Sequence, residues 1–143
     1  MLRKFLSTDN SATTIFIRLM VGVIFLSEGI QKFLFPMELG VGRFTKIGFP
    51  DPAFLAGFVG VFEILCGTLV LIGLLTRFAC IPLIIIMIVS ISTTKIPLLH
   101  EHGIWNMLHE IRVDWAMLLG SIFLLIKGAG NLSLDKKFFS NES

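Results

Sequence analysis

Apolar residues fill four long stretches of this chain, residues 13–35, 53–75, 78–94 and 111–126, with shorter polar or proline- and glycine-bearing segments between them. Crossing the hydrocarbon core of a bilayer takes roughly 20 apolar residues in an α-helix. In lipid the backbone must satisfy its own hydrogen bonds, which leaves helices or closed barrels. Residues 81–89 run Ile-Pro-Leu-Ile-Ile-Ile-Met-Ile-Val without the alternation a barrel strand requires. The pattern predicts an all-α fold, an antiparallel bundle of four transmembrane helices with spans near residues 13–35, 53–75, 78–94 and 107–127.

The connections are unequal. Residues 36–52 hold Gly40, Gly42, Gly48 and three prolines, so they continue neither flanking helix and are expected to form a structured external loop. Residues 73–78 leave room only for a tight hairpin, which makes the second and third helices antiparallel neighbours. The third connection, residues 95–110, is longer and carries Pro97, His100, His102, Trp105 and His109. Gly128-Ala129-Gly130 is expected to end the last helix.

Composition supports a membrane domain. The 143 residues are 55% hydrophobic and 15% charged, with a mean hydropathy of +0.87, too apolar for a soluble domain of this size. A net charge of +2 without a basic stripe gives no footprint for nucleic acid. Arg3 and Lys4 precede the first stretch as in a signal peptide, but that stretch is too long and too charged for cleavage, so it reads as a retained anchor. With the N-terminus inside, Arg3, Lys4, Arg77, Lys127, Lys136 and Lys137 face the cytoplasm, against Arg43, Lys46 and Lys95 outside. The positive-inside rule then puts both termini, segment 1–12 and tail 128–143, in the cytoplasm.

Ionisable residues inside the spans carry the chemistry. Arg18, Glu28 and Lys32 lie in the first stretch, Glu63 in the second, and Arg112 with Asp114 at the start of the fourth. Each costs several kcal/mol against lipid and should face the others. Counting about 1.5 Å per residue, Arg18 joins Arg77 near the cytoplasmic face, while Glu28, Lys32, Glu63, Arg112 and Asp114 share a polar pocket in the outer half. Glu28 and Lys32 stand in the order that favours pairing on one helix face, and Lys32 is equally placed to reach Glu63 or Asp114. Such a cluster serves as a lock between helices, as a pocket for a polar or redox-active small molecule, or as a proton or ion path.

Other candidates are weaker. His100, His102 and His109 with Glu101 and Glu110 have ligand chemistry for zinc or copper, but no metal signature spaces them. Cys66 and Cys80 form no CxxC and sit at different helical depths, which reads as two small buried residues rather than a disulfide. No phosphate loop, dinucleotide fingerprint or nucleophile–base set appears. Gly22 and Gly29 on the first helix, and Gly57, Gly60 and Gly67 on the second, mark faces for close helix contact.

Arg18-Leu19-Met20-Val21-Gly22, Gly29-Ile30-Gln31-Lys32, Gly48-Phe49-Pro50, Gly60-Val61-Phe62-Glu63-Ile64-Leu65-Cys66-Gly67, Gly73-Leu74-Leu75-Thr76-Arg77 and the segment from Gly128 to Asp135 together resemble the DoxX family of small four-helix membrane proteins. The resemblance implies a bacterial or archaeal inner membrane, and implies that Arg18, Lys32 and Glu63 occupy the family's charged positions. It also implies a role in quinone- or thiol-linked redox chemistry, as a partner subunit whose polar pocket takes a quinone headgroup or a similar small molecule. The expected partners are the bilayer, another membrane or redox subunit, or a second copy of the chain. A non-catalytic assembly factor or chaperone is the rival reading, followed by a small transporter or proton path, for which four helices without an inverted repeat are a poor match.

Overall fold

A computed structural model describes residues 8 and 10–139, and among them all regular structure is helical. Helix α1 (Thr14–Leu34) is followed by a short α2 (Val41–Ile47), then α3 (Pro52–Ile72) and α4 (Thr76–Ser90). A π-helical turn (Ile91–Lys95) leads into α5 (Ile96–Lys127), and α6 (Leu134–Phe139) follows. Among the described residues three helical stretches are long and apolar enough to cross a membrane: Thr14–Leu34, Pro52–Ile72 and Thr76–Lys127. Arg3 and Lys4, counted in the charge balance, lie outside the described residues.

Local chemistry sets most boundaries. Asp51 caps α3, its carboxylate accepting from the Phe54 amide at 3.4 Å, and Pro52 opens the helix where no amide is needed. Gly73 ends α3 in the left-handed region at φ 71°. The 36–52 connection is more ordered than a loop: α2 occupies its middle and closes on Gly48 at φ 88°.

The 95–110 segment differs most from expectation. It is helical through Pro97 and breaks at Gly103, whose φ of 81° and ψ of 172° are essentially reserved for glycine. Pro97 is tolerated because it falls in the first turn of α5, just past the widened π turn. Within that turn Ser92, Thr93 and Thr94 donate to the carbonyls of Ile88, Val89 and Ser90 at 2.8, 2.8 and 2.6 Å. Beyond Gly103 the chain doubles back, bringing Asp114 within 3.4 Å of Lys95.

Helices α1 and α3 pack antiparallel, with Gly29 against Gly60 and Gly22 against Gly67. Gly57, grouped with these from sequence, meets nothing within 4 Å of where a Cβ would stand, because it lies on another face of α3. The packed core gathers Val21, Phe25, Cys66, Val70, Cys80, Leu83, Met117 and Leu124 in the half of the molecule nearer the α3–α4 turn. Large apolar side chains such as Phe16, Phe54, Ile85 and Ile126 remain exposed on the outside, as a lipid-facing surface requires. Cys66 and Cys80 are both buried free thiols.

Candidate functional site

Above the packed core the bundle opens into a cavity of about 510 Å³, in the range of small-molecule sites. Its apolar lining includes Phe25, Phe44, Phe49, Phe58, Met87 and Met117. Its polar lining is Glu28, Lys32, Arg43, Glu63, Ser90, Thr93, Thr94, Lys95, Glu110 and Asp114. Helix α2 covers one side, contributing Arg43, Phe44 and Ile47.

The deepest polar group is Glu63, 2% exposed. Lys32 Nζ lies 2.7 Å from its Oε2. Helical side chains lean toward the N-terminus of their own helix. On two antiparallel helices they therefore lean toward each other, and a lysine near the end of α1 reaches a carboxylate in the middle of α3. At this distance the ammonium and the carboxylate make a close charge-assisted contact. Glu28 and Arg43 also stand within electrostatic reach of Glu63. Lys32 thus pairs across the helix interface with Glu63, and not along its own helix with Glu28.

A second pair faces the same cavity. Lys95 Nζ lies 3.4 Å from Asp114 and 3.9 Å from Glu110. Sequence reasoning placed Lys95 in an outer loop; the π turn instead aims it inward, at a side-chain exposure of 12%. Arg43 was likewise missed, because nothing in the sequence says that α2 folds over the cavity. The signal for Lys95 was its spacing from a carboxylate across a break at Gly103, visible only once that break is known.

Arg112 departs from the expected cluster. It is exposed, and its guanidinium stands 2.8 Å from His109 Nδ1. Two residues along a helix turn the chain by about 200°, so Arg112 points away from the face shared by Glu110 and Asp114. His100, His102 and His109 are all exposed, His102 lying 3.9 Å from Glu101. Among the described residues no group of three or more His, Cys, Asp or Glu is arranged to hold a metal ion.

At the opposite end, Arg18 is only 3% exposed and is wholly taken up by main chain. It donates to the carbonyls of Val70 at 3.0 Å, Leu71 at 2.5 Å, Ala129 at 3.1 Å and Leu132. Asp135 completes the junction, accepting from the amides of Leu75 at 2.6 Å and Thr76 at 3.0 Å and so capping α4 from a distance. Arg77 is half-buried beside this junction. The Arg18 end is a clamp on the α3–α4 turn and on the segment after α5.

The DoxX family profile matches residues 13–96, which include Glu28, Lys32, Arg43, Glu63 and Lys95 but not Asp114. A protein of Mycobacterium tuberculosis named as an uncharacterized membrane protein is 50% identical over 140 residues, spanning 94% of this chain and 86% of its own length. The protein of Bacillus subtilis named "Putative oxidoreductase CatD" is 30% identical over 129 residues, 90% of this chain and 89% of its own. A Haemophilus influenzae protein is 34% identical over 129 residues, 87% of this chain and 89% of its own. No solved structure gives a significant match. With more than half of its length matched by that family and a bacterial membrane protein identical to it at 50% of aligned positions, this multi-pass membrane chain belongs to the DoxX family.

Proposed function

We propose that the protein spans the bacterial plasma membrane four times, with both termini in the cytoplasm, and that its cavity receives a quinone headgroup or a polar molecule of similar size. In this role it serves quinone- or thiol-linked redox chemistry as a partner subunit. The observation that carries the reading is the cavity itself: about 510 Å³ of mostly apolar space with the Lys32–Glu63 pair in its wall. An amphipathic ring-and-tail molecule dissolved in the bilayer matches that lining, and a buried ion pair supplies the polar contacts that fix its orientation. The name carried by the Bacillus subtilis relative points toward redox chemistry.

The four-span topology draws on two features. The break at Gly103 divides the long third stretch into two antiparallel arms. Arg77, Lys127, Lys136 and Lys137 gather at the end that holds α6, whereas Arg43 and Lys46 lie on α2 at the other end.

Organic extraction of the detergent-purified protein tests the ligand reading. Quinone should copurify in proportion to protein and fall when Lys32 and Glu63 are replaced together. A quinone-free preparation whose melting temperature ignores added quinone would end this reading, and one that held a single stable membrane partner would favour the assembly-factor alternative.

A further inference from the structure

Two hairpins contribute the same chemistry to the lining of the cavity. Lys32 stands about five turns into α1, and Lys95 about five turns beyond the start of α4. Their partners Glu63 and Asp114 stand about three turns into the returning helices, counted from Pro52 and from the Gly103 break. Each lysine lies on the outgoing helix and each carboxylate on the returning one, so the leaning of side chains toward helix N-termini brings both ion pairs to a similar depth. Both lysines line the cavity, with side-chain exposures of 11% and 12%.

An ammonium has three N–H donors. Lys32 meets one carboxylate oxygen, and Lys95 meets two at ion-pair distances of 3.4 and 3.9 Å. Donor capacity therefore remains on both lysines, which line the cavity. Glu63, almost fully buried and paired with Lys32, lines the same space.

We infer that the two ion pairs are the poles of one site, which selects a flat ring carrying a hydrogen-bond acceptor on each of two opposite edges, one met by Lys32 and the other by Lys95. This rests on the quinone reading above and narrows it to rings with para carbonyls. Phe25 and Phe58 are among the aromatic side chains of the lining.

The test uses the full chain in detergent and two probes of matched size, an alkyl para-naphthoquinone with two ring carbonyls and an alkyl tetralone with one. Binding is measured for the wild type, for Lys95→Met, and for Lys32→Met combined with Glu63→Gln, which avoids stranding a buried carboxylate. In the wild type the naphthoquinone should bind about tenfold more tightly than the tetralone, the worth of one hydrogen bond to a charged donor. Either variant should lower naphthoquinone affinity to the tetralone level. The tetralone, free to turn toward the remaining lysine, should change less than about threefold in each.

A structural role alone would weaken both probes in parallel, and that result would overturn the inference. Tight naphthoquinone binding that ignores Lys95→Met would also overturn it, while leaving the single-pole quinone reading intact. Failure of both probes to bind the wild type would remove the quinone reading itself.

Discussion

Gly29 of α1 and Gly60 of α3 meet backbone to backbone: a Cβ on Gly29 would stand 2.8 Å from the carbonyl oxygen of Gly60 and 2.9 Å from the amide nitrogen of Ile64. Both obstacles are main chain, so neither can swing aside. This approach sets the separation of the two helices, and with it the reach of Lys32 to Glu63.

Gly29→Ala should therefore force α1 and α3 apart and destabilise the protein by about 1–3 kcal/mol, the usual cost of overpacking. Gly57→Ala is its control, since nothing lies within 4 Å of that Cβ. It should be neutral or stabilising by up to about 1 kcal/mol through helix propensity. Thermal melts in one detergent compare them directly, and equal melting of the two variants would refute the close-contact account.

Replacing one member of the Lys32–Glu63 pair leaves the other charge buried. Lys32→Met alone, or Glu63→Gln alone, should cost about 3–5 kcal/mol. The double replacement should cost clearly less than the two single costs added together. Strict additivity in this cycle would mean that the two groups do not interact.

Arg18 holds carbonyls from α3 and from the segment after α5 with one planar fork. Arg18→Met should release residues 128–139 to protease before the helices melt, since each hydrogen bond to a charged group is worth about 1.5–3 kcal/mol. Arg18→Lys should rescue little, because a point-like ammonium cannot span the same set. Unaltered protease resistance in Arg18→Met would show that the clamp is not what holds this segment.

Asp135 supplies the cap that α4 lacks in its own sequence, since Leu75 at its start has no capping side chain. Asp135→Ala should cost about 1–2 kcal/mol, as loss of a helix cap does. Hydrogen exchange at the Leu75 and Thr76 amides should rise sharply. Asp135→Asn, with one acceptor oxygen in place of two, should protect only one of those amides.

Orientation is testable at two exposed lysines. A cysteine at Lys46 should react with a membrane-impermeant thiol reagent in intact cells, and one at Lys137 only after the membrane is opened, provided Cys66 and Cys80 stay unreactive as buried thiols. The reverse pattern would invert the topology.

The charged residues show how far the sequence could be read. Depth follows from helical rise, so placing Glu28, Lys32, Glu63 and Asp114 in one layer needed only counting. Direction around the helix axis does not follow from counting for Arg112, because the phase of its helix is set by the break at Gly103. Lys95 falls at the start of the segment expected to connect the third and fourth spans, and the π turn with its hydroxyl contacts carries the helix on there instead. The rule that proline breaks helices takes no account of the widened turn that immediately precedes Pro97.

By itself the sequence determined that the chain is helical and membrane-spanning, and which helices must approach closely, since hydropathy, glycine spacing and the cost of charge in lipid act along one chain segment at a time. Tertiary structure alone decided which charge meets which, that α2 covers the cavity, and that Arg18 is spent on main-chain carbonyls. Those outcomes depend on the rotation of each helix about its axis and on where the chain reverses at Gly103, quantities that arise only when separate segments pack against one another.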